Sequence, residues 1–434
     1  MLSMSIILIV FFITLVIAIL SGLVFLIPSV PIKYIKIHLY LIVLPIIVSV
    51  IGLLNVSDRE QIGPFTMDHL AWLMGSFILI LDFIIQKFSV RYLIGDRNYR
   101  KYFPLFTLIT SFASIAWLSG DLRLMVLFWG ATLLSLTLLI RVNRSWKIPY
   151  EAAKVSGKSF ALGWLSLLVA VILLYVATGN WHINVTLAND DVITSGMRFI
   201  IDMLIVLAVV VPAAQFPFQS WLIESVAAPT PVSAIMHAGI VNAGGIILTR
   251  FSPVFNDPLA ITILLIIASI SVLLGSGISL VHVDYKRQLV GSTMSQMGFM
   301  LVQCALGVYS AAIIHLILHG VFKATLFLQS GSVVKRFNIP TPPSAKRSYS
   351  WVVLGRCLAI IIAILFWLGS DRSAYEILSA LILAWSLMVS WNQMVAFSRG
   401  LIGRVIGIIM IVIVALVYIV THHYFYLSLI HISE

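Results

Sequence analysis

Residues 212–245 read "PAAQFPFQSWLIESVAAPTPVSAIMHAGIVNAGG", in a chain of 434 residues that is 61% hydrophobic and 10% charged. Pro212, Pro217, Pro229 and Pro231 precede a run of small residues that contains His237 and Asn242. Proline removes a backbone donor and clashes with the preceding turn, so Pro212 and Pro217 should divide the helix that carries them. Pro229 and Pro231 fall between two apolar runs. Irregular backbone at membrane depth is tolerated only where protein or water covers it, and transporters place ion sites at such breaks. The stretch predicts a membrane bundle with a broken helix beside a titratable ring.

Composition supports this reading. The mean hydropathy is +1.09, and apolar runs long enough to cross a ~30 Å hydrocarbon layer recur throughout. No hydrophilic stretch has room for an extramembrane domain with its own core. The first run, "SIILIVFFITLVIAILSGLVFLIP", lacks a basic leader and a small-residue cleavage site and reads as a retained helix. Cys304 and Cys357 lie far apart in apolar segments and support neither a disulfide framework nor a thiolate metal site. A sliding window gives 14 candidate spans, at about 4–26, 37–55, 70–87, 103–118, 121–140, 159–178, 197–214, 232–250, 260–281, 291–308, 310–330, 350–369, 376–397 and 402–421. With both termini outside, 20 of the 27 Lys and Arg fall in or beside the inner loops, as the positive-inside rule expects. The net charge of +11 is then a topology signal and points to no nucleic acid.

Ionisable side chains inside spans are costly and mark candidate ion pathways. Asp82 lies deep in "FILILDFIIQKF", where it either meets a polar neighbour such as Lys87 or takes part in ion passage. Arg356 sits near the inner end of its span and can snorkel. In "HLILHGVFKATLF", His315, His319 and Lys323 are spaced i, i+4, i+8, which sets all three on one helix face over ~12 Å of rise. Such a stripe can pass protons through intervening water.

Three stretches carry a resemblance: "AQFPFQSWLIESVAAPTPVSAIMHAGIVNAGGIILTR", "DYKRQLVGSTMSQMGFM" and "HLILHGVFKATLFLQSGSVV". They resemble the signature stretches of the antiporter-like subunits of respiratory complex I and of the multi-subunit sodium/proton antiporters. The resemblance implies an all-α polytopic membrane protein with inverted five-helix repeats and a proline-broken seventh helix. It implies one transmembrane domain over residues 1–434, with a first repeat at about 103–250, a divergent second at about 260–397, and flanking helices at 1–87 and 402–421. It also implies ion-pathway roles for His237, Glu224, Asp284, Lys286, His315, His319 and Lys323. The family pattern does not predict Asp82.

The departures narrow the resemblance. Gly130 in "FWGATLL" stands where the family has a glutamate, and Pro212 in "VPAAQ" stands where it has a lysine, so both halves of an ion pair are missing. The signature of a second broken helix is missing as well. This pattern is similar to the membrane subunits of bacterial Dab/Mps-type inorganic-carbon uptake systems. That resemblance implies a chain without cofactor or catalytic site of its own, in the bacterial cell membrane, which moves protons or sodium. Its implied partner is a large cytoplasmic zinc protein resembling β-carbonic anhydrase, docked on the inner face. A proton- or sodium-translocating subunit of a complex I-like, hydrogenase-like or antiporter assembly stands as the alternative. A quinone-binding redox enzyme lacks ligands for haem or iron–sulfur in this sequence, and a non-conducting assembly anchor would fit the lost ion pair.

Overall fold

The computed structural model describes residues 3–56, 59–143, 147–188, 192–333, 349–369 and 374–391, with single positions beyond. Two compact units divide the chain, Met1–Val334 and Lys335–Glu434. The first holds α1 (Met4–Leu23), α2 (Ile35–Asn55), α3 (His69–Tyr92), α4 (Tyr99–Leu118), α5 (Leu122–Ile140), α6 (Lys147–Thr178), α7 (Ile183–Ala188), α8 (Ser195–Val210), α9 (Ser220–Glu224), α10 (Thr230–Ala238), α11 (Ala243–Phe251), α12 (Pro258–Val281), α13 (Tyr285–Ala305) and α14 (Tyr309–Leu328). The second holds α15 (Tyr349–Leu368) and α16 (Ala374–Trp391), which pack together as the Trp391 indole donates to the Trp351 carbonyl at 2.8 Å.

Among the described residues ten helices are long and apolar enough to cross a membrane. The expected count of 14 is not reached by that criterion. The seventh expected span holds only the 16-residue α8 and the turn after it, the tenth falls on α13, whose face carries Thr293, Gln296 and Gln303, the thirteenth, 376–397, falls on α16 and runs past the described residues, and the last, 402–421, lies almost entirely outside them. A small antiparallel hairpin, β1 (Glu60–Ile62) and β2 (Phe65–Met67), was not expected; Gly63 turns it at φ 58°.

Pro212 and Pro217 separate α8 from the short α9, as predicted. Several polar groups at the break find partners within the protein, which matters away from water. Trp221 Nε1 donates to Val211 O at 2.9 Å, Gln215 Nε2 to Ala213 O at 2.7 Å, and Phe216 N to Ser271 Oγ at 2.9 Å. Pro229 and Pro231 act differently. Pro229 is the N-cap of α10 and Pro231 lies in its first turn, where a missing N–H costs nothing. A second break, with no proline, divides α10 from α11 by a single 3-10 turn over Ile240–Asn242. There Asn242 Nδ2 donates to the Ala238 carbonyl at 2.7 Å. The whole α10–α11 segment is almost completely buried at the middle of the bundle.

Two contacts fix the surrounding helices. Asp68 caps α3, accepting from Ala71 N at 2.8 Å, and forms a two-pronged ion pair with Arg250 at the end of α11, whose Nη2 reaches Asp68 Oδ1 at 2.9 Å and the Trp117 carbonyl of α4 at 3.1 Å. Burial alone would raise the Asp68 carboxyl, but the Arg250 charge and hydrogen bonds outweigh it and hold the group below the usual carboxylate range. On the other side, α12 and α13 meet through glycines. A Cβ on Gly275 would lie 2.5 Å from Ser295 N, and one on Gly291 2.8 Å from Gly275 O, whereas one on Gly277 meets nothing within 4 Å.

Two outcomes are expected. Gly275→Val and Gly291→Val each destabilise the bundle by about 1–3 kcal/mol through overpacking, read as a lower thermal midpoint in detergent, while Gly277→Val leaves it unchanged. A carboxyl with a depressed folded pKa stabilises the fold above its unfolded value, so the Asp68 contribution is lost as pH falls below about 4. Asp68→Asn therefore costs about 3–5 kcal/mol at neutral pH, and flattens the acid limb of a stability–pH titration.

Candidate ion-pathway site

Three buried ionisable side chains, His237, His319 and Lys323, gather where α10, α13 and α14 meet. His237, near the end of α10, is fully buried and lies flat on the Phe327 ring of α14 at 4.4 Å. Its Nδ1 faces Thr293 Oγ1 on α13 at 3.1 Å, and that hydroxyl donates to the Leu289 carbonyl at 2.9 Å. The hydroxyl hydrogen is thus committed, so His237 carries its hydrogen on Nδ1 and offers Nε2, which has no hydrogen-bond partner among the described residues, as a proton acceptor. Lys323 of α14 is fully buried and donates from Nζ to the same Leu289 carbonyl at 3.1 Å. Among the described residues no carboxylate lies within ion-pair distance of it.

The stripe predicted on α14 continues from Lys323 to His319 and His315. The two imidazoles lie 6.0 Å apart, and His319 Nε2 has no hydrogen-bond partner among the described residues. His315 is held at both nitrogens by glutamine carbonyl oxygens of α13, Gln303 at 3.1 Å and Gln296 at 3.0 Å. A neutral imidazole has one N–H, so the second contact is satisfied by a proton on the ring or by a turned amide. His237 Nε2 on α10 and His319 Nε2 on α14, both buried and unpartnered among the described residues, are proton acceptors of the kind a relay through water requires.

Sequence reasoning missed the contribution of α13. Thr293 and the Leu289 carbonyl link the α10 and α14 groups, Gln296 and Gln303 hold His315, and the signal available was the low hydropathy of "QLVGSTMSQMGFMLVQC" in a chain of apolar helices. The other expected residues lie elsewhere. Glu224 is exposed at the end of α9, and Asp284 is an exposed N-cap of α13 that accepts from Arg287 N at 3.0 Å. Lys286 is half-buried and donates to the Ala228 carbonyl at 3.1 Å, just before α10. Asp82 joins a separate cluster on α3, where its Oδ2 accepts from Gln86 at 2.8 Å.

Positions 130 and 212, where the resemblance would place an ion pair, are closed by packing. A Cβ on Gly130 would lie 2.4 Å from Trp164 Nε1, and the Trp164 indole donates to Val126 O at 2.8 Å. Pro212 rests on Gly163, whose Cβ would lie 3.0 Å from its ring.

Broken helices in the core of an apolar bundle, with a buried lysine and histidines at the break, define a polytopic membrane protein of the ion-translocating antiporter-like class. The chain belongs to the family described as NADH:quinone oxidoreductase/Mrp antiporter membrane proteins, which matches residues 119–407. It is 58% identical over 427 residues, 98% of this chain and 85% of the relative, to the probable inorganic carbon transporter subunit DabB of Bacillus subtilis. Over 70% of this chain and 58% of the relative it is 34% identical to the probable inorganic carbon transporter subunit DabB1 of Halothiobacillus neapolitanus. The fold is shared with a chain of the Mrp complex from Dietzia sp., at TM-score 0.68 and 23% identity over 96% of this chain and 46% of that one. A chain of the archaeal membrane-bound sulfane sulfur reductase gives 0.70 at 18% identity over 99% and 96%.

A carboxylate placed beside Trp164 would find no amine at position 212. Gly130→Glu is expected to lower the thermal midpoint in detergent, by about 1–3 kcal/mol for overpacking alone, and to leave proton conduction in liposomes no faster than that of the unmodified chain.

Proposed function

We propose that this chain is the ion-translocating membrane subunit of a two-component inorganic-carbon uptake system in the bacterial cell membrane. It would couple a proton or sodium gradient to a large cytoplasmic zinc partner resembling β-carbonic anhydrase, and it carries no catalytic site itself. The buried Lys323, which shares the Leu289 carbonyl with the Thr293 hydroxyl that orients His237, is the observation that carries the translocation part. The likeness to the DabB proteins over nearly the whole chain supports the substrate. Entry to the path is supported by a cavity of about 310 Å³ at the end of the bundle that carries the basic loops. Its walls include Tyr92, Asp96, Tyr102 and Pro229, and Tyr92 donates to Thr230 at 3.0 Å in the first turn of the His237 helix. The closed packing at Gly130 and Pro212 supports a path confined to the His237–Lys323 side, with the partner's chemistry needed to drive it.

A lysine in a span is neutral, paired or wetted, because a bare charge there is costly. If Lys323 gains and loses a proton in each cycle, Lys323→Ala abolishes rescue of growth at low carbon dioxide while the protein still inserts and still binds its partner. Lys323→Arg fails too, since guanidinium stays protonated. Membrane level, partner copurification and growth rescue of both variants decide it. A functional Lys323→Arg chain, or an Ala chain that is merely less abundant, refutes the relay; copurification of flavin and iron–sulfur subunits in place of a zinc protein refutes the carbon-uptake reading.

A further inference from the structure

A second buried polar cluster lies apart from the His237–Lys323 line and joins four helices. Ser21 Oγ on α1 faces His38 Nδ1 on α2 at 2.7 Å, and His38 Nε2 faces Gln86 Oε1 on α3 at 3.1 Å. The Gln86 amide then donates to Asp82 Oδ2 at 2.8 Å and to Thr107 Oγ1 on α4 at 3.0 Å, and Thr107 Oγ1 also lies 3.3 Å from His38 Nε2. His38, Asp82, Gln86 and Thr107 are each no more than 2% exposed. Phe25 and Phe103, 6.4 Å apart, wall off the imidazole, with Phe25 edge-on to it at 5.7 Å. Among the described residues no Lys or Arg lies within ion-pair distance of Asp82.

The hydrogens of this cluster can be assigned by elimination. Thr107 donates to the Phe103 carbonyl at 3.0 Å, so its oxygen accepts from Gln86 and His38. Both Gln86 N–H groups are then committed, its carbonyl accepts, and His38 carries a hydrogen on Nε2. Ser21 is different. Its single hydrogen has two claimants, His38 Nδ1 and the Ala18 carbonyl at 2.8 Å. With His38 neutral, the hydroxyl donates to Nδ1. With His38 protonated, an N–H bond forms at Nδ1 and donates to Ser21 Oγ, while the hydroxyl hydrogen turns to Ala18 O. The hydrogens of Ser21, His38, Gln86 and Thr107 are all used in both states, while Asp82 Oδ1 has no hydrogen-bond partner among the described residues, and this buried carboxylate stands one amide away to balance the added charge.

We propose that His38, Gln86 and Asp82 form a proton-loading site, in which a proton taken up at His38 Nδ1 is balanced by the Asp82 carboxylate across the Gln86 amide. Ser21, only partly buried, is the side on which the proton is exchanged with water; no bond between heavier atoms forms or breaks. Gln86 transmits charge without itself carrying the proton. α3 links this site to the other, because its Phe77 ring packs on Gly320 of α14, the residue after His319; a Cβ there would lie 2.5 Å from the ring. The site does not depend on which substrate the assembly handles.

The test is pH-difference infrared spectroscopy of the full chain in lipid nanodiscs. A carboxyl band that responds to pH is expected in the unmodified chain and is lost in Asp82→Asn. In His38→Gln the midpoint of that response moves by about one pH unit or more, the signature of coupled groups. Ser21→Ala, which removes only the acceptor of the Nδ1 proton, moves it in the same sense and serves if the histidine variant inserts poorly. An Asp82-dependent band that ignores pH, or keeps its midpoint in both His38→Gln and Ser21→Ala, overturns the proposal. Neither result bears on Lys323, so this reading and the carbon-uptake reading fail separately.

Discussion

The Leu289 carbonyl oxygen accepts from the Thr293 hydroxyl at 2.9 Å and from the Lys323 ammonium at 3.1 Å, and the arrangement of the core follows from that shared acceptor. A lysine buried without a carboxylate is tolerable only where it can lose its proton or be wetted. The Thr293 hydroxyl, committed to Leu289, leaves His237 one way to place its hydrogen. One backbone carbonyl therefore sets both the lysine's anchor and the histidine's tautomer.

Breaking helices inside hydrocarbon is eased here because side chains close by bond several of the freed backbone groups. Trp221, Gln215 and Ser271 repair the break around Pro212 and Pro217, and Asn242 repairs the one after His237. The Asp68–Arg250 pair locks the far end of α11 to α3 and α4, so the irregular segment is held at both sides. Membrane depth makes these contacts obligatory, since water is not available to replace them.

The family's scaffold is present, and Gly130 and Pro212 stand where the resemblance would place a charge pair. With glycine at 130 the Trp164 indole lies against α5, and with proline at 212 a ring packs on Gly163. Apolar closure there and open imidazole nitrogens at His237 and His319 give the two sides of the bundle different chemistry.

Much of this was legible in the sequence. Hydropathy named the class, the prolines located the first break, and helical spacing put His315, His319 and Lys323 on one face, because those properties are local or periodic along a single helix. The reading of Pro229 and Pro231 as part of a break could not be separated from helix initiation without the backbone, and the second break at Gly239 had no proline to announce it. Contacts between helices were decided only by tertiary structure. Thr293, Gln296 and Gln303 looked like ordinary polar residues until α13 was seated against α14 beside His237, and His38 carried no signal until α2 set it beside Gln86. Glu224 and Asp284 match the family pattern in sequence yet sit at exposed helix ends. A chain determines which residues can hold a proton; which of them can exchange one depends on distances of about 3 Å between helices, and no one-dimensional spacing encodes those.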